Sequence, residues 1–114
     1  MYEYSVKLLR VVDGDTVELD VDLGFTVHVT VMFRLLGINA PEVKGASKEF
    51  GLASKQALID LLQEGSLTVR TEKAIKTDKY GRWLAAITVT KSDGSIVNVS
   101  DWMILSGFAV PYLP

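Results

Sequence analysis

The spacing of apolar residues restricts the folds open to this chain, because it changes from a strand period to a helix period and back again. Valine and leucine are frequent over residues 4–12, and apolar and polar residues alternate over residues 16–21 and 25–36. This alternation is typical of strands with one buried face. The Asp-Gly pair at 13–14 and the Leu-Gly pair at 23–24 predict turns between the three runs. An antiparallel three-stranded meander is therefore expected.

A helical period begins near residue 48. Six apolar residues recur at helical spacing and are expected to face the core: Phe50, Ala53, Ala57, Leu58, Leu61 and Leu62. Gly65 stands where the C-terminal cap of this helix is expected.

Strand patterns return after this helix. Residues 66–71 and 83–90 alternate again, and a turn and a short extended segment follow them. Ser100 is the expected N-cap of a short helix over residues 101–106, which Gly107 ends. The remaining tail is too short for another helix.

The predicted order is three strands, a helix, two or three strands and a short helix. It favours an α+β, mainly β fold: an OB-like five-stranded Greek-key barrel with a helix between strands 3 and 4 and a short C-terminal helix. The chain has 114 residues, of which 48% are hydrophobic and none is cysteine. We expect one domain over residues 1–114, with a core that needs no disulfide.

Net charge restricts the possible partners. The chain carries a net charge of −2 at pH 7 and a sequence pI of about 5.3, whereas dedicated duplex-DNA binders usually carry a basic excess. Phosphate binding would therefore need a local cluster of cations. No apolar run reaches the roughly 18 residues of a membrane span. No secretory signal is visible either, so we expect a cytoplasmic protein without membrane association.

The end of the third strand carries side chains that packing alone does not explain. Residues 34–42 read RLLGINAPE, with Arg34 inside an apolar run. One interpretation is a solvated arginine on the outer face of the barrel. The other is a functional side chain beside a loop that a rigid scaffold holds. Glu42 follows Pro41, whose fixed backbone angle partly sets the direction of the next side chain, and this favours a functional role.

Asp15 and Arg82 are further candidates. We interpret Asp13 as a turn residue, but Asp15 begins the second strand, and for it a turn role and a ligand role both stay open. Arg82 begins a strand after a basic turn. It belongs either to a solvated rim or to a phosphate site, with Lys79 and Tyr80 nearby to hold a nucleotide.

These residue types together suit phosphodiester hydrolysis. Arginine stabilises the negative charge that develops at the attacked phosphorus. Aspartate, the Asn39 amide and backbone carbonyls offer the oxygen ligands that a hard divalent cation prefers. A carboxylate that takes a proton from water, as Glu42 could, accelerates its attack by about 10²–10⁴.

Three segments resemble, in order, the signature segments of the staphylococcal (micrococcal) nuclease family: VVDGDTVEL at 11–19, FRLLGINAPE at 33–42 and TDKYGRWLA at 77–85. The similarity extends over nearly the whole chain. The resemblance implies an OB-fold enzyme that binds single-stranded DNA or RNA and hydrolyses it with calcium (Ca²⁺). The products would carry 3′-phosphate and 5′-hydroxyl ends.

By this resemblance, three groups of residues form the site. The metal ligands are Asp15, Asn39 and, through its backbone carbonyl, Ala40. The catalytic residues are the phosphate-binding Arg34 and Arg82 and the general base Glu42. The substrate-binding residues are Lys79, Tyr80 and Tyr112.

The chain also departs from the family pattern. Asn39 replaces a carboxylate, and its amide oxygen brings no charge, so calcium binding is expected to be weaker by about 1–3 kcal/mol. The long C-terminal helix of the family has no counterpart in these residues. The acidic pI predicts weak, salt-sensitive binding to long nucleic acid.

A second function stays open: a catalytically weak or inactive OB-fold module that binds single-stranded nucleic acid or a protein partner. Asn39 and the acidic balance favour this module, whereas Arg34, Glu42 and Arg82 favour the enzyme. The oligomeric state is also open, and a dimer is compatible with the sequence. Three further residues are interpreted as surface or packing residues: His28, Trp83 and Trp102.

Overall fold

The first three strands form the predicted antiparallel meander. The structure is a computed structural model that describes residues 2–41, 45, 48–71 and 82–112. Strand β1 is Tyr2–Asp13, β2 is Thr16–Asp22 and β3 is His28–Leu35. Alternate residues of a strand share a face, so Val17 and Leu19 of β2 both point into the core and are fully buried.

A parallel strand pair closes these strands into a barrel. Strand β5 (Gly65–Thr71) pairs antiparallel with β1, and β6 (Trp83–Lys91) pairs antiparallel with β5. Strand β6 also runs parallel to β3, with Leu35 opposite Ala85. This pairing joins the ends of the series β3-β2-β1-β5-β6 into a closed five-stranded barrel. The predicted OB-like, mainly β fold is confirmed.

Short elements complete the fold around this barrel. Strand β7 (Ile96–Asn98) pairs with β6 and leads into helix α2 (Val99–Leu105). Strand β4 (Ile38–Asn39) pairs with β8 (Val110–Pro111). The sequence did not predict β4 and β8, because a strand of two residues is too short to show a period.

The predicted start of the third strand at residue 25 is wrong. Phe25 and Thr26 have φ angles of 54° and 64°, in the left-handed region that turns use. They lie in a turn where the Leu23 backbone N–H donates to the Val27 carbonyl at 2.9 Å. Strand β3 therefore starts at His28, and the alternation before it belongs to a turn.

Two predicted helix ends are also wrong. The N-cap of α2 is Asn98 rather than Ser100, since the Asn98 side chain accepts a hydrogen bond from the Asp101 backbone N–H at 3.0 Å. Gly65 begins β5 and does not cap a helix. A side chain there would clash with the backbone of Thr90, so the glycine permits two strands to approach closely.

Helix α1 (Lys48–Leu62) packs against β1. Three leucines of its predicted apolar face are buried: Leu58, Leu61 and Leu62. Phe50, predicted on the same face, is 73% exposed, and the buried face begins instead with Gly51 and Ser54. Neither helix in the described ranges is long and apolar enough to cross a membrane.

Truncating a buried leucine of α1 tests this packing. Leu58 is 0% exposed, so Leu58→Ala should lower the free energy of unfolding by about 2–5 kcal/mol, because it leaves a cavity. Leu52 is 46% exposed in the same helix, and Leu52→Ala should cost less than about 1 kcal/mol. Urea denaturation measures both values, and equal losses would contradict the assigned face of α1.

Candidate functional site

The turn between β1 and β2 lies against the segment after β4 and against α1. A Cβ on Gly14 would come within 2.8 Å of the Cβ atoms of Ala40 and Ser54, so only a glycine fits this contact. The close approach places Asp15 beside the backbone of Ala40, whose N–H donates to Asp15 Oδ2 at 2.9 Å. The carboxylate is thereby held by a chain segment distant in sequence.

The Asp15 side chain is almost buried and is surrounded by donors. The residue is 6% exposed, the Thr16 hydroxyl donates to Oδ1 at 3.0 Å, and Arg34 Nη2 lies 3.6 Å from Oδ2. A buried carboxylate needs such partners, because burying an unpaired charge is costly. An aspartate with an ordinary turn role needs fewer contacts than these. They hold the Asp15 carboxylate beside the Arg34 guanidinium.

Arg34 is not a solvated arginine on the outer barrel face. Its side chain is 11% exposed. Its Nη1 donates to the Ile38 carbonyl at 3.0 Å, and at 3.5 Å to the carbonyl of Leu35. Nη2 donates to Asn39 Oδ1 at 3.1 Å, and the guanidinium carbon lies 5.1 Å from the centroid of the Tyr112 ring. The contacts fix the plane of the guanidinium group.

Arg82 approaches the Asp15–Thr16 pair from the start of β6, the strand that closes the barrel against β3. It directly precedes β6, and its Nη1 donates to the Thr16 hydroxyl oxygen at 3.0 Å. Thr16 is the register partner of Arg34 in the β2–β3 ladder. Both arginines therefore lie next to the Asp15–Thr16 pair, although 48 positions separate them along the chain.

Six of the nine predicted site residues lie in the described ranges, and the structure brings them together: Asp15, Arg34, Asn39, Ala40, Arg82 and Tyr112. Tyr112 is held near the others by a hydrogen bond from its backbone N–H to the Gly37 carbonyl at 2.9 Å. Glu42, Lys79 and Tyr80 lie outside the described residues.

Sequence reasoning missed Thr16. It lies on the polar side of the β2 alternation, where a threonine needs no special explanation, yet it is 3% exposed. Its position directly after the candidate ligand Asp15 was the one available signal. Only the tertiary contact with Arg82 distinguishes it from an ordinary strand threonine.

The residues interpreted as surface or packing residues are exposed or lie against another aromatic ring. His28 is exposed beside Asp20, with 3.3 Å between Nδ1 and Oδ1. Trp102 stacks on Phe108 with 6.0 Å between ring centroids. Trp83 is 44% exposed.

The oxygen donors near Asp15 match the preference of a hard divalent cation. Asp15, the Asn39 amide and the Ala40 carbonyl offer oxygen only, and Ca²⁺ prefers such ligands. Within the described part of the chain, no three His, Cys, Asp or Glu side chains come together. Asp15 is therefore the central charge among these donors, and Asn39 Oδ1 already accepts a bond from Arg34.

Asp13, which we interpreted as a turn residue, interacts electrostatically with Asp15. Its pKa is raised from 3.8 to about 6, first by burial and then by a shared hydrogen bond and charge repulsion with Asp15. The raised pKa means that the folded protein binds this proton more tightly than the unfolded chain does. Asp13 therefore adds a pH-dependent contribution to stability.

The contribution of Asp13 to stability decreases as pH rises. Because the folded-state pKa is the higher one, stability falls as pH rises from about 4 to about 6. In chelator, Asp13→Asn should remove that loss, and stability relative to wild type should rise by the order of 1 kcal/mol across the window, a value discounted because the carboxyl is partly solvated. Asp60→Asn on the exposed side of α1 is the control. Urea denaturation between pH 4 and 7 measures the difference, and parallel profiles of variant and wild type would contradict the coupling.

Comparison with known proteins agrees with this fold. The model of the family described as staphylococcal nuclease homologue matches residues 32–113. An uncharacterized protein of Methanocaldococcus jannaschii is 29% identical over 96% of this chain and 60% of its own length. Protein ParB of Escherichia coli is 32% identical over 96% of this chain and 58% of its own. An uncharacterized endonuclease of Escherichia coli O157:H7 is 31% identical over 93% of this chain and 60% of its own.

This chain thus spans about three fifths of the length of these curated relatives. The family match covers well over half of the 114 residues and includes the second half of β3, all of β6 and both arginines. The chain belongs to the staphylococcal nuclease homologue family.

Proposed function

We propose that the protein hydrolyses phosphodiester bonds of single-stranded DNA or RNA with calcium, by attack of a metal-positioned water that leaves 3′-phosphate and 5′-hydroxyl ends. The observation that carries the proposal is the convergence of Arg34 and Arg82 on the buried Asp15–Thr16 pair. Membership of a nuclease family and similarity to a relative named an endonuclease support it. We further propose that it acts in the cytoplasm.

Arg34 makes two short hydrogen bonds and two longer contacts, and this arrangement suits the binding of a phosphate. Its two short hydrogen bonds, to Ile38 and Asn39, hold the guanidinium plane. The contacts to the Leu35 carbonyl and to Asp15 are longer, at 3.5 and 3.6 Å. A phosphate oxygen can replace the contact to the Leu35 carbonyl at little cost, and the negative charge that develops during attack strengthens the new contact.

The proposed metal ligands are Asp15, Asn39 and the Ala40 carbonyl. The Oδ1 atom of Asp15 accepts one bond from Thr16 and keeps lone pairs for a cation. A bound calcium ion would supply positive charge for a phosphate oxygen and for the attacking water. With one carboxylate in this set, calcium affinity should be modest.

The remaining roles come from the family resemblance. Glu42 would take the proton of the attacking water, and Lys79 and Tyr80 would bind a terminal phosphate. Tyr112 would contact the nucleotide, and its ring already lies against the Arg34 guanidinium. A nucleotide at Tyr112 would then lie close to the phosphate-binding arginine.

A binding module without catalysis is the second candidate. The observation that favours it is Asn39, which replaces a carboxylate and accepts a hydrogen bond from Arg34. In such a module Arg34 would serve mainly to hold the segment from Ile38 to Asn39 against β3. Two experiments separate it from the enzyme.

Release of acid-soluble nucleotides from denatured DNA and from RNA tests the catalytic proposal. Activity should require calcium and disappear in excess chelator, and Asp15→Asn should lower kcat by about 10²-fold or more, since it removes the metal-binding charge. Asp60→Asn, the same chemical change on the exposed side of α1, should retain activity. Binding of oligonucleotide without any chelator-sensitive cleavage would favour the binding module.

Restoring a carboxylate at position 39 tests the metal site. Asn39→Asp should tighten calcium binding by roughly tenfold or more, because a second negative ligand is added. Asn98→Asp adds the same charge at the N-cap of α2, where aspartate is equally acceptable, and should leave calcium affinity unchanged. Isothermal titration with calcium measures both. An equal response of the two variants would assign the effect to net charge and reject the site.

A further inference from the structure

We propose that Thr16 is a positioning residue: its hydroxyl group holds the Arg82 guanidinium beside Asp15. The inference rests on the proposed function for its catalytic consequence. The structural basis is independent of that function. Thr16 is 3% exposed, donates to Asp15 Oδ1 at 3.0 Å and accepts from Arg82 Nη1 at 3.0 Å.

Chemistry fixes the direction of both hydrogen bonds. A guanidinium group can only donate, so the Thr16 oxygen must accept from Arg82. A carboxylate can only accept, so in the 3.0 Å contact between them the Thr16 hydroxyl donates to Asp15 Oδ1. The result is a polarised chain from cation through hydroxyl to anion, in which each bond strengthens the other.

The hydroxyl spacer also leaves part of the Asp15 carboxylate available. A direct bidentate pair between Arg82 and Asp15 would use two N–H groups and both carboxylate oxygens. The Thr16 bridge uses one donor of Nη1 and one lone pair of Oδ1. The carboxylate can therefore still bind a cation, while Arg82 remains close to it.

The backbone and the side-chain type of Thr16 support this role. Thr16 pairs with Asp13 on one side and with Arg34 on the other, so two ladders fix its main chain. The branched Cβ of threonine restricts rotation about χ1, which limits the directions that the hydroxyl can take. A serine keeps the oxygen but rotates more freely.

Three substitutions separate the hydroxyl from the side-chain shape. Thr16→Val keeps the shape and removes the hydroxyl, Thr16→Ser keeps the hydroxyl, and Thr16→Ala differs from Thr16→Ser by that one oxygen atom. Calcium-dependent cleavage of denatured DNA gives kcat and KM. We expect Thr16→Val and Thr16→Ala to lose roughly 10²-fold in kcat, the scale of a misplaced transition-state donor. KM should change little, and Thr16→Ser should keep most of the rate.

Hydrogen exchange tests the contact between Thr16 and Arg82 directly, without substrate or metal. In nitrogen-15 NMR, the Arg82 guanidinium hydrogens should exchange slowly in wild type and in Thr16→Ser, and fast in Thr16→Val and Thr16→Ala. If Thr16→Val does not fold, the Ser and Ala pair decides. Absence of cleavage by wild type would reject the proposed function but leave this test standing. Equal exchange and equal kcat in the Ser and Ala variants would overturn the role of Thr16.

Discussion

The parallel pairing of β3 with β6 is the constraint on which the site depends. It places Arg34 opposite Leu84, two residues after Arg82, and it is secured beyond the strands by a hydrogen bond from the Leu36 N–H to the Ala85 carbonyl at 2.9 Å. Parallel neighbours require a long connection, so this contact joins segments that are distant in sequence. The strand pairing that closes the barrel therefore also brings Arg34 and Arg82 together.

The nearly buried Asp15 and Arg34 illustrate why such a cluster is preorganised. Bringing two charges out of water is costly, and their separation of 3.6 Å does not by itself offset that cost. The Ala40 N–H and the Ile38 carbonyl supply the remaining stabilisation from the backbone of one loop. The conformation of this segment and the two charged groups therefore support each other.

The sequence predicts the barrel well and the site only in part. Strands with a buried face show a period of two, so β2, β5 and β6 could be predicted from that period, whereas β1 was predicted from its valine and leucine content. The positive φ angles at Phe25 and Thr26 leave no such pattern, since neither residue type favours them. Thr16 could not be recognised from the sequence for another reason, because its contact with Arg82 joins residues that are 66 positions apart.

Asn39 changes the electrostatic balance of the site, not only its metal affinity. Arg34 lies 3.6 Å from the Asp15 carboxylate, and Arg82 is linked to the same carboxylate through the Thr16 hydroxyl. A carboxylate at position 39 would add negative charge beside Arg34 and compete with Asp15 for it, since Asn39 Oδ1 lies only 3.1 Å from Nη2. A neutral amide keeps the geometry but leaves the positive charge available to a phosphate. In the proposed function, an amide at position 39 would therefore favour an anionic substrate and weaken the hold on a cation.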